Sequence, residues 1–242
     1  LTTIDLGETR LSALPFPLKP LLAVLAIGTA IAALAGFDRV FDALTGGSAI
    51  LRMVAFALIA TLGATCAARA GMRIAFYGTR HPVLTGLAAA LVVAVWVALI
   101  DGVVFRTGLS QAYVRYFHTT GLGGRLEYFM LRAFNENVLY RLFLFSVLAR
   151  ALGTVWRGPD GRPATPALWV AMVSAQIVNI AINVVLPTAD TVTATSLVYD
   201  AVRYVAPGVA WAWLFARFGF ATAEIASVGC HLFLQPMLGA VL

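Results

Sequence analysis

The chain has 242 residues, 61% of them apolar and 12% charged. A soluble domain carries about 45–50% apolar and about 25% charged residues, so this composition excludes a water-soluble globule and equally a disordered chain. The net charge of +6 comes from arginines scattered between apolar segments, with Lys19 the only lysine and no basic run, so nucleic acid is excluded as a partner. What remains is an integral membrane protein in contact with membrane lipid.

A bilayer core of about 30 Å needs roughly 20 mainly apolar residues per helical span. Seven such segments follow one another, predicting an all-α polytopic bundle that forms one domain over residues 1–242. They cover 20–36, 49–68, 83–105, 126–152, 166–186, 197–216 and 221–242. Turn signals separate them: Thr45-Gly46-Gly47-Ser48, Thr79-Arg80-His81-Pro82, the long stretch 107–125, and Gly158-Pro159-Asp160-Gly161-Arg162-Pro163. Residues 1–19 contain Pro15 and Pro17 and do not read as a signal peptide.

With the N-terminus placed inside, the inner segments hold Arg10, Lys19, Arg69, Arg73, Arg80, Arg150, Arg157, Arg162 and Arg217. The outer ones hold only Arg39, Arg106, Arg115 and Arg125, with Arg52 near a span end. Basic residues accumulate on the inner side, so the expected setting is a bacterial inner membrane with a cytoplasmic N-terminus.

Ionisable groups inside spans are costly and need partners or a purpose. The fourth span holds Arg132, Asn135, Glu136, Asn137 and Arg141. Arg132 and Glu136 stand four apart and share a helix face, as an internal salt bridge or as part of a reactive cavity. Gln176, Asn179 and Asn183 form one stripe on the fifth span, suited to interhelical hydrogen bonds or to facing Glu136. On the last span His231 and Gln235 project one turn apart, as a packing pair or as two donors to an oxyanion. Pro236 is expected to kink or end that helix. Asp101, Asp200 and Glu224 would suit the polar path of a transporter, but no two-half repeat accompanies them.

Cys66 and Cys230 are too few for a disulfide framework. No zinc-site spacing, Walker loop, dinucleotide fingerprint or Gly-x-Ser-x-Gly element is present, so neither metal nor cofactor is expected.

Three elements in order resemble the CPBP (Abi) family of CAAX-processing and bacteriocin-processing membrane proteases. Glu136-Asn137-Val138-Leu139-Tyr140-Arg141 resembles the family's Glu-Glu-x-x-x-Arg motif, with Asn137 in place of the second Glu. The second motif, Phe-x-x-x-His, has its helix here but no histidine; either Asn179 or Asn183 takes that place. His231-Leu232-Phe233-Leu234-Gln235 resembles His-x-x-x-Asn, and Arg217-Phe218-Gly219 resembles the Arg-x-Gly turn before it. The resemblance covers 126–242. It implies a metal-independent glutamic endopeptidase of peptide or prenylated substrates, with Glu136 activating water, Arg141 supporting it, and His231 and Gln235 binding the oxyanion. An amide cannot accept the proton that the missing histidine would take, so the same resemblance also implies a silent relative serving as a binding or structural subunit of a larger membrane complex.

Overall fold

The computed structural model describes residues 17–34, 36, 38–185 and 192–242; residues 1–16 of the proline-bearing N-terminal stretch lie outside them. These residues are helical, with no strand among them. The elements are α1 (Leu18–Leu34), α2 (Arg39–Thr45), α3 (Ala49–Arg69), α4 (Pro82–Val104), α5 (Gln111–Thr119), α6 (Leu122–Val155), α7 (Thr165–Val185), α8 (194–218) and α9 (Phe220–Val241).

Five of these, α3, α4, α6, α7 and α9, are long and apolar enough to cross a membrane. The two other expected spans are helices too, but α1 is an apolar helix of only 17 residues and α8 does not join the five. The stretch 107–125, read as a connection, contains the short helix α5, capped by Ser110 through Tyr113 N–H at 3.2 Å. Pro236 does not end α9, which runs on to Val241.

Neighbouring helices pack both antiparallel and parallel. Arg52, at the start of α3, donates to the carbonyls of Ala32 and Ala33 at the end of α1, so this pair is antiparallel. α4 and α9 run parallel, since Gly86 meets Thr222 and Ile225 while Gly102 meets Val241.

Small residues set the packing. Lipid is as apolar as the helices, so burial of apolar surface does not drive them together; close backbone approach does. Gly86, Ala90 and Ala94 are buried at four-residue spacing on α4 against α9. Gly63 on α3 lies against the backbone of Leu142 and Phe143 on α6, where a Cβ would stand 2.7 Å from the Leu142 carbonyl oxygen.

The start of α9 is braced from outside. Gly219 adopts φ +90°, a region L side chains rarely enter. The first amides of α9 then donate across the turn, Phe220 N–H to Arg73 O and Ala221 N–H to Ile74 O, both at 2.9 Å. This satisfies donors that a helix N-terminus leaves unpaired and fixes the helix that carries His231 and Gln235.

Among the described residues four stretches widen into π turns: Ile100–Val104, Val138–Phe145, Ala181–Val185 and Ala201–Val205. Such turns close i→i+5 and concentrate at functional sites. Here they carry Asp101, Arg141, Asn183 and Arg203, from four different helices.

Candidate functional site

Between α4, α5, α6, α7, α8 and α9 lies a cavity of about 610 Å³. Glu136, Arg141, Asn179, Asn183, His231 and Gln235 all line it, as do Arg132, Gln176 and Arg203. Apolar walls come from Val93, Val97, Phe129, Ile180, Trp211 and Leu234. A mostly apolar cleft with a few convergent polar groups is the usual form of a ligand or substrate site.

Glu136 is held within its own helix. Arg132 Nε donates to its Oε1 at 2.6 Å, and Arg132 also donates to the Tyr128 hydroxyl at 3.0 Å. Arg141, expected to support Glu136, instead donates to Gln176 Oε1 at 2.7 Å, across to α7. Gln176 passes the link on to the Tyr204 carbonyl at 3.2 Å. The π turn explains how both residues reach one cavity. Five residues apart, Glu136 and Arg141 point in different directions on a regular α-helix, and closing i→i+5 turns Arg141 back toward the Glu136 face.

Behind the wall sits Glu224. Both its carboxylate oxygens are inaccessible, and its polar neighbours are Asn137 and Arg141. Arg141 thus lies in the field of two carboxylates, Glu136 and Glu224. A buried guanidinium needs such compensation.

The α7 stripe divides. Asn183 Nδ2 donates to Asp38 Oδ2 at 2.7 Å, to the Tyr140 hydroxyl at 2.9 Å and to Asn179 Oδ1 at 3.0 Å. Tyr140 donates its own hydroxyl to Asp38 in a short hydrogen bond. The other Asp38 oxygen caps α2 by accepting from Phe41 N–H at 3.0 Å. Asn183 is therefore committed to a structural network that ties the α1–α2 corner to α6 and α7.

On α9, Gln235 Nε2 lies 3.3 Å from His231 Nδ1, and the imidazole stacks on Phe129 with centroids 5.4 Å apart and planes at 17°. An amide donating to Nδ1 makes that nitrogen the acceptor and leaves the proton on Nε2, the tautomer that can donate to an oxyanion.

A second polar knot closes the cavity beside α5. Arg203 Nε contacts both Asp101 oxygens, at 2.9 and 3.0 Å. Asp101, fully buried, also accepts from Tyr113 at 2.8 Å and Tyr199 at 3.0 Å. Burial pushes the Tyr113 hydroxyl above its ordinary range, so it stays a donor at neutral pH. None of Asp101, Asp200 and Glu224, the carboxylates that would line a transport path, lines this cavity.

Sequence reasoning missed Asp38, Tyr140, Tyr113 and the Asp101–Arg203 pairing. Asp38 meets Tyr140 and Asn183 from 102 and 145 residues away and Asp101 meets Arg203 from 102, beyond any local spacing, while Tyr113 reaches Asp101 from a different helix. Among the described residues no group of three His, Cys, Asp or Glu side chains is arranged to hold a metal. In comparisons with known proteins no family model, curated protein or solved structure matches this chain.

Proposed function

We propose that this chain is a CPBP-like membrane endopeptidase of a bacterial inner membrane, with its N-terminus in the cytoplasm and peptide or prenylated substrates entering the cavity. One observation carries the reading: Glu136 from α6 and the His231–Gln235 pair from α9 line the same cavity. Glu136 Oε2 is not used by Arg132, so one carboxylate oxygen is left to accept a proton from water. His231 and Gln235 supply donors for the tetrahedral oxyanion. The test is cleavage of prenylated and leader-bearing peptides by the purified protein in detergent. The reading expects cleavage that Glu136→Gln removes; cleavage that survives the change removes Glu136 as the base.

A second reading is favoured by Asn183. Its Nδ2 donor is spent on Asp38, Tyr140 and Asn179, and an amide on α7 cannot take the proton that a histidine there would accept. In that reading the chain is a silent relative whose cavity binds rather than cuts, within a larger membrane complex. Gentle extraction with mass measurement separates the two, since a lone, active monomer sinks the silent version.

A further inference from the structure

At the end of the bundle where α3 and α6 finish and α7 begins, a second concavity of about 70 Å³ lies apart from the cavity above. Arg69, Arg150 and Arg157 line it. Arg69 ends α3, Arg150 stands on the last turns of α6, and Arg157 opens the loop between α6 and α7. No carboxylate lines the pocket, and none of the three guanidinium groups hydrogen-bonds or ion-pairs with another described residue. The one acid of the loop, Asp160, faces Arg162 at 3.7 Å instead.

The loop is braced into a fixed shape. Gly158 N–H donates to Arg162 O at 2.8 Å and Ala164 N–H to Trp156 O at 2.9 Å, while Gly161 takes φ +73°. Gly153 on α6 packs against Pro163, where a Cβ would stand 2.7 Å from the ring. Three like charges are thus held around one small concavity with no carboxylate among its lining residues. Val155 and Trp156, adjoining Arg157, are 78% and 46% exposed. Exposed tryptophan beside arginine at a span end marks the depth of lipid headgroups.

We propose that the Arg69–Arg150–Arg157 pocket binds the phosphate group of an anionic phospholipid. Guanidinium forks match phosphate oxygens in pairs, and the unpaired triple charge favours a headgroup with net negative charge over a zwitterionic one.

The test is lipid retention by the full chain, followed by native mass spectrometry with phosphatidylglycerol and phosphatidylcholine. Retention of phosphatidylglycerol in preference to phosphatidylcholine is expected, weakened about fivefold for each arginine changed to glutamine. Arg157→Gln alone, in an exposed loop, gives this readout even where the triple variant does not fold. Arg115→Gln, an exposed arginine at the opposite end on α5, is the control and should change nothing. Equal retention of both lipids, or equal weakening by Arg115→Gln, overturns the site. Inorganic phosphate added at millimolar level separates the sources. If it does not displace the lipid, the lipid assignment stands; if it binds in the lipid's place, that assignment is overturned in favour of the free ion.

Discussion

Arg132 holds Glu136 through a single Nε–Oε1 contact of 2.6 Å, one turn apart on α6, with both side chains on the cavity wall. The pair is partly exposed, at 31% and 21% of the side-chain surface. An accessible i,i+4 pair of this kind contributes about 0.5 kcal/mol or less, so its two members can be separated experimentally by function rather than by folding.

Glu136→Gln is expected to lower peptide cleavage by roughly 100-fold or more, the usual scale for losing a general base. Thermal unfolding of the variant in detergent should stay close to that of the parent. Substitution of Arg132 by glutamine should likewise leave unfolding nearly unchanged. A large drop in melting temperature from either change would make the pair a structural lock instead.

Asp101 and Arg203 should behave differently, because their pair is almost wholly buried. Asp101→Asn or Arg203→Gln each strands a charge or its donors, at a cost of about 3–5 kcal/mol. The double variant should recover part of that loss in a double-mutant cycle measured by chemical or thermal unfolding. Strict additivity would show that the two side chains do not interact.

Tyr140→Phe removes a donor to Asp38 and an acceptor for Asn183 without changing the ring. The expected cost is about 1–3 kcal/mol, since a hydrogen bond to a carboxylate and one from an amide are both lost. Proteolysis near the α1–α2 corner should rise in step; unchanged sensitivity there would place the network's contribution elsewhere.

Gly63→Ala is expected to destabilise by about 1–3 kcal/mol, because the new methyl meets the backbone of α6 rather than a movable side chain. Gly229→Ala is the control. A Cβ there would meet Leu87 at 3.5 Å, an ordinary contact, so unfolding should shift little or upward. Equal effects at both positions would argue against close α3–α6 packing.

Hydropathy alone determined that the chain is helical and where its apolar segments lie, because the bilayer imposes a length and a solvent on each one. It also singled out the polar stripes Gln176–Asn183 and His231–Gln235, since helical period is a local property that adjacent residues reveal. Which polar groups pair was decided only by the tertiary structure. Arg141 joins Gln176 rather than Glu136, Asn183 joins Asp38, and Asp101 joins Arg203. Such partners come from different helices, and the π turns that rotate Arg141, Asn183 and Arg203 into place leave no periodic mark. They depend on how neighbouring helices pack, as the backbone approach at Gly63 does, and that information lies in no single segment.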